Sequence, residues 1–155
     1  MTAARTPQQV GASNRRRGHD AERAVARYLR GTGFQHAERA VRTGFRTLDR
    51  VSQDPGDITG CPGIVWSVKD CAAERIGAWM VELTAMGDPD ALHLLVQRRR
   101  GHADPGRWWC WMDLAAASLL LDGATFGPQL VRMELGDVVA LLRLRGYGEP
   151  EQVGA

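Results

Sequence analysis

Three residues near the middle of this chain have types and spacings that can do chemistry: Asp57, Ser67 and Lys69. They fall within Asp54–Asp70, which reads DPGDITGCPGIVWSVKD. Asp57 stands in a Gly-Asp-Ile-Thr-Gly segment, and Lys69 closes the run that begins Ile64-Val65-Trp66. A carboxylate can ligate a hard cation, and an ammonium can position a water or stabilise charge on a phosphate. Lys69 is the only lysine in the chain; every other basic side chain apart from histidine is arginine. Arginine stays protonated in proteins, whereas lysine is a compact point charge whose pKa shifts readily on burial. The bland alternative for Lys69 is a solvated residue at a strand end.

Such chemistry needs elements that bring the three together. Side chains alternate across a strand, so Ser67 and Lys69 share one face of Ile64–Lys69 and Val68 takes the other. A turn at Cys61-Pro62-Gly63 would fold Gly56–Cys61 antiparallel onto that strand and carry Asp57 towards Lys69. A carboxylate on a turn, then a strand ending in lysine, is how many metal-dependent nucleases place their catalytic groups.

Upstream, Ala21, Ala24, Val25, Tyr28 and Leu29 recur at helical spacing, so the pattern predicts a helix over Asp20–Arg30 closed by Gly31-Thr32-Gly33. Glu22 borders its apolar face. It reads either as a helix N-terminal carboxylate favoured by the macrodipole or as a metal ligand reaching Asp57. Phe34–Arg46 alternates loosely as a first strand with Arg39 and Arg42 exposed, and Thr47–Pro55 reads as a loop. Glu74–Met86 returns to helical spacing, with Glu82 one turn beyond Trp79. Strands are expected at Leu92–Gln97, Arg107–Met112 and Leu130–Leu135, a turn at Thr125–Gln129, and helices at Ala115–Leu121 and Asp137–Arg145. The order α-β-β-β-α-β-β-α suggests a mixed sheet flanked by helices. Residues 1–14 and 147–155 read as tails around one domain over 15–146.

Apolar and charged fractions of 44% and 25% are those of an ordinary globular chain. A formal charge of +2 is too small to name a nucleic-acid partner. Its distribution says more: Arg15-Arg16-Arg17 and Arg98-Arg99-Arg100 are concentrated basic runs, able to contact phosphates or simply to be solvated. Cys61, Cys71 and Cys110 form no C-x-x-C pair, which speaks against a zinc site or a disulfide framework. With no apolar leader and no membrane-length apolar run, the expectation is a cytoplasmic protein with no membrane partner. The four histidines show no metal-ligand spacing. Trp108, Trp109 and Trp111 either stack on bases or, as tryptophans of alternating strands more often do, build core and sheet surface.

Several of these features also occur in order. Gly18-His19-Asp20-Ala21-Glu22 is followed by Ala37-Glu38-Arg39, then by Gly56-Asp57-Ile58-Thr59-Gly60, Pro62-Gly63-Ile64-Val65 and Val68-Lys69. Ala78-Trp79 and Glu82 come next, then Arg98-Arg99-Arg100-Gly101 and Asp104-Pro105-Gly106-Arg107-Trp108. In this set, over about Arg16 to Leu114, the chain resembles the Holliday-junction-resolvase-like nucleases of actinobacterial phages, in the PD-(D/E)-x-K restriction-endonuclease-like superfamily. The resemblance implies an α/β fold with a restriction-endonuclease-like αβββαβ core. It also implies hydrolysis of DNA phosphodiesters at branched structures with Mg2+ or Mn2+, usually by a homodimer acting on branched or double-stranded DNA. By position, Asp57 matches the central metal ligand, Lys69 the catalytic lysine and Glu22 the helix glutamate that assists the metal.

One position departs. The family carries a carboxylate two residues before the lysine, where this chain has Ser67. A neutral hydroxyl is a much poorer ligand for a divalent cation than a carboxylate. Asp70 should face away from Ser67 and Lys69 if the strand stays regular, unless a strand end or bulge re-aims it; Glu82 on the following helix is the better placed substitute, and Glu22 is a third contributor. Three functions follow, in this order: a structure-specific endonuclease with a migrated acid, a weakened or inactive member that still binds branched DNA, and a nuclease fold used only as a scaffold.

Overall fold

In a computed structural model of the chain, residues 7–41, 56–71, 74–121 and 129–150 are described. The expected loop over Thr47–Pro55, the end of the expected first strand from Arg42 on, and most of the turn expected at Thr125–Gln129 lie outside them. The chain runs α1 (Pro7–Gly31), β1 (Glu38–Arg39), β2 (Ile58–Thr59), β3 (Ile64–Lys69), α2 (Ile76–Thr84), β4 (Leu92–Gln97), β5 (Trp109–Asp113), α3 (Leu114–Leu121), β6 (Leu130–Glu134) and α4 (Leu135–Leu144). This is an α/β fold whose six described strands form one mixed sheet in the order β1-β2-β3-β4-β5-β6.

β3 and β4 are parallel, in register from Ile64 opposite Leu92 to Lys69 opposite Gln97, and α2 makes the crossover between them. The other neighbouring pairs are antiparallel. A parallel pair at the centre is covered on both faces, so β3 and β4 are near-continuous apolar runs rather than alternating ones. Under one face lie Trp66, Val68, Leu94, Val96, Cys110 and Met112, packed with α1, α3 and α4. On the other face Val65 and Leu95 pack against Ile76, Met80 and Leu83 of α2. Ser67 and Lys69 belong to the α2 face, because they alternate in phase with Val65.

Two boundaries differ from the sequence reading. α1 starts at Pro7, not Asp20, so residues 7–14, expected as a tail, are its first turns. That half carries mostly exposed polar residues and gives no apolar periodicity to read; only from Ala21 on do Val25, Ala26 and Leu29 bury against the sheet. Glu22 is therefore a mid-helix residue, and the macrodipole account of it falls. At the other end, residues 147–150 are docked rather than frayed. The Tyr147 amide donates to the Leu142 carbonyl, the Glu149 amide to the Gly33 carbonyl, and the Gln35 amide to Glu149 Oε2. That last hydrogen bond holds the Glu149 carboxyl below its ordinary pKa.

The turn before β3 is as expected. Ile64 N donates to the Cys61 carbonyl, and Gly63 takes a φ of 78°, which favours glycine. Gly56 has a different constraint: a Cβ there would lie 2.6 Å from the Trp66 carbonyl oxygen and 2.9 Å from its nitrogen. Those atoms belong to the β3 backbone and cannot yield, so only glycine lets the Asp57 segment close on β3. Gly56→Ala is expected to lower unfolding free energy by about 1–3 kcal/mol in urea titration, the usual cost of overpacking.

Candidate functional site

Asp57 is held onto β3 by its own backbone and side chain. Its amide donates to the Trp66 carbonyl at 2.7 Å, and its carbonyl accepts from the Ala40 amide at 2.9 Å. Its Oδ2 accepts from the Val68 amide at 2.8 Å and from Ser67 Oγ at 3.1 Å. The hairpin thus brings Asp57 to Ser67, and Lys69 stands two residues further on the same face, about 6.5 Å along the strand. Lys69 Nζ sits 5.8 Å from the ring centre of Trp79 on α2 and makes no ion pair among the described residues.

Of the two expected helper acids, one is held in an ion pair and the other is exposed. Glu22 accepts from Arg39 Nε at 2.6 Å, tying α1 to β1, and both side chains are largely buried. Arg39 is thus not the exposed residue the alternation suggested. Glu82 is exposed on α2 and has no hydrogen-bond or ion-pair partner among the described residues. Within the described residues no group of three or more His, Cys, Asp or Glu side chains could hold a metal ion.

Mg2+ or Mn2+, the ions the resemblance implies, can be tested against this donor set. Asp57 brings one negative charge, Ser67 none, and Lys69 one positive charge. Ser67 donates its hydroxyl hydrogen to Asp57 Oδ2. Mg2+ takes one or two protein carboxylates and near-octahedral oxygen geometry. A site with one carboxylate and a neighbouring ammonium fits such an ion poorly, and among the described residues it is not completed to a group of three His, Cys, Asp or Glu side chains.

At the same end of the sheet the two arginine runs meet. Asp70, just past Lys69, has a side chain only 1% exposed and is surrounded by Arg17, Arg98 and Arg100. Arg98 Nη1 donates to Oδ2 at 3.1 Å. Arg100 Nη2 and Arg17 Nη2 lie 2.9 and 3.5 Å from Oδ1; both are ion pairs in distance, but neither points along a hydrogen-bonding direction. Three guanidiniums against one carboxylate leave a local surplus of two positive charges, and each guanidinium side chain stays more than a third exposed. Arg99 instead pairs with Glu134 at 3.1 Å, a carboxylate that Arg107 also reaches. Arg15 and Arg16 are exposed on α1.

Sequence reasoning placed Asp70 but missed its arginine partners, and it missed Gln97 altogether. Asp70 was expected to face away from Ser67 and Lys69, and its contact with Arg17 of α1 places it there; but its three partners come from 28 and more residues away, which no local pattern reveals. Gln97, opposite Lys69 on β4, is buried and accepts from Trp111 Nε1 at 3.2 Å. The only signal for Gln97 is a polar residue closing an apolar strand. His93 proves a satisfied core histidine, its Nε2 2.9 Å from the Met86 carbonyl. Cys61 and Cys110 are buried thiols, and burial pushes the Cys110 thiol far up in pKa.

Chemically, the assembly offers a fixed carboxylate, an ammonium over the Trp79 ring with no ion pair among the described residues, and a guanidinium cluster at one end of a sheet. No described helix is long and apolar enough to cross a membrane. Comparisons of this chain with protein-family models, with curated proteins and with solved structures find no match.

Proposed function

We propose that this chain is a DNA-binding protein of the PD-(D/E)-x-K restriction-endonuclease-like type whose hydrolytic site has lost its second acid. The observation that carries the reading is the Ser67–Asp57 hydrogen bond. Asp57 stands beside the β3 position two before Lys69, the juxtaposition this site needs, and the residue at that position donates a hydrogen bond instead of supplying a ligand. Phosphate oxygens would be held by the Lys69 ammonium and by the exposed guanidinium surfaces of Arg17, Arg98 and Arg100, with Arg15 and Arg16 extending the track along α1. Charge-assisted contacts from arginine forks suit phosphate geometry. Branched or double-stranded DNA is the ligand, and the homodimer that the resemblance implies is part of the proposal.

A second reading keeps hydrolysis: a divalent-metal endonuclease at Asp57 and Lys69. It is favoured by Lys69, the chain's one lysine, standing without an ion pair among the described residues beside a fixed carboxylate. Cleavage lost on Lys69→Ala would decide for it.

Binding itself is tested by titrating a labelled duplex at several salt concentrations. Each lost phosphate contact lowers the slope of log K against log salt by about one. Arg100→Ala and Arg16→Ala are each expected to flatten the slope by about that much, and the same variants should weaken a four-way junction in parallel. An unchanged slope in both would remove the arginine runs from the interface.

A further inference from the structure

The face of the sheet that carries Ser67 and Lys69 continues past α2. That helix covers β3 and β4, while α1, α3 and α4 pack on the opposite side. Beyond that helix Trp111 of β5 packs against the edge of the α2 cluster and stays half-buried, as does Trp109. What stands there is a row of arginine and tryptophan. Trp109 and Trp111 alternate outward from β5, and Arg132 of β6 lies opposite Trp111. The Arg132 guanidinium carbon is 4.3 Å from the Trp109 ring centre and 5.3 Å from that of Trp111, and the Arg99 guanidinium is 4.0 Å from Trp109. All three β5–β6 side chains are partly exposed, unlike Trp108, which is buried on the other side.

We infer that this row is a stacking surface for the unpaired bases of a DNA strand whose backbone lies along Lys69 and the arginine clamp. Two observations select that occupant. The first is charge: Arg99 and Arg107 share one carboxylate, Glu134, Arg132 lies over the two indoles, and the nearby Asp113 is occupied in capping α3 through the Ala116 amide. A surplus of guanidinium interleaved with indole suits a polyanion with flat apolar groups, since aromatic rings and guanidinium planes both stack on bases. The second is continuity. Lys69 is opposite Gln97, Gln97 is opposite Trp109 and also accepts from Trp111, so the row starts two strands, about 10 Å, from Lys69 on one unbroken face. A strand held by a phosphate at Lys69 can place neighbouring bases on it only if they are unpaired. The inference rests on the proposed DNA binding and deepens it: the preferred substrate has a single-stranded or splayed segment.

The test measures anisotropy of a fluorescein-labelled oligothymidylate and of a labelled duplex of equal length, at one salt concentration. Wild type is compared with Trp109→Ala, Trp109→Phe, Arg132→Gln and Arg100→Ala. Trp109→Ala should weaken oligothymidylate binding on the order of tenfold, as loss of one base stack does, and leave the duplex within about twofold. Trp109→Phe, which keeps a ring, should restore most of the loss, and Arg132→Gln should follow Trp109→Ala in direction. Urea titration confirms that each variant is folded; if Trp109→Ala is not, Arg132→Gln, whose side chain is outside the core, decides. Parallel loss on both DNAs, or no loss on oligothymidylate while Arg100→Ala weakens both, would overturn the stacking surface and leave the proposed DNA binding standing. A dimer that dissociates on Trp109→Ala would make the row a subunit interface and overturn the inference as well. Absence of binding to either DNA by wild type would overturn the proposed function, and this inference with it.

Discussion

Ser67→Asp is expected to create a divalent-cation site where the proposed reading gives the wild-type chain little hold on one. The substitution sets a second carboxylate beside Asp57, at the place where Ser67 Oγ is now 3.1 Å from Oδ2. Without metal the two like charges repel in a pocket where Ser67 is only 9% exposed, so the apo variant should be less stable than wild type by about 1–3 kcal/mol. With metal the sign reverses. An ion that binds only the folded state at a hundredfold excess over its Kd adds about 2.7 kcal/mol. For a chain of this size that is about 5–10 °C in Tm. Differential scanning fluorimetry with Mg2+ or Mn2+ should show that rise in Ser67→Asp and almost none in wild type. A wild-type rise of the same size would mean that an acid outside the Asp57–Ser67–Lys69 set already completes a metal site.

Asp70→Asn carries the second large effect. The carboxylate is buried and its three partners are not: the Arg17, Arg98 and Arg100 side chains keep 44%, 37% and 55% of their exposure. Removing one partner of a fully buried pair costs about 3–5 kcal/mol. Here water already screens the guanidiniums, so about 2–3 kcal/mol is the expected loss in urea titration. The amide keeps the shape and loses the charge, which isolates electrostatics from packing. The cost should fall when Arg98→Met is already present, because the two share one interaction; additive losses would show that the clamp stores no coupling energy.

Much of what positions the site is written locally. Ile64–Lys69 and Leu92–Gln97 are found where the apolar runs put them, because a covered parallel pair has to be apolar on both faces. The Pro62-Gly63 turn fixes the hairpin, and strand alternation alone puts Ser67 and Lys69 on one face. Non-local choices were not legible. Nothing near Glu22 says that it pairs with Arg39 across the packing of α1 on β1, and nothing in two arginine triplets says that they converge on Asp70. The first half of α1 was hidden for a different reason: it is held by helix propensity and continuity with a packed half, not by a face of its own. The residues of β5 alternate as a strand requires, Trp109 and Trp111 on one face and Cys110 and Met112 in the core, but only the position of α2 decides that Trp111 meets its cluster.

The most direct measurement is cleavage of a labelled four-way junction and its parent duplex in Mg2+ or Mn2+, with binding followed in the same samples. A nuclease-type site missing its second acid predicts that wild type binds both DNAs and leaves them intact. Ser67→Asp should nick them, and Ser67→Asp combined with Lys69→Ala should bind without nicking. Nicking by wild type that disappears in Lys69→Ala would contradict this reading: the site would then be complete as it stands, with Ser67 no obstacle to hydrolysis.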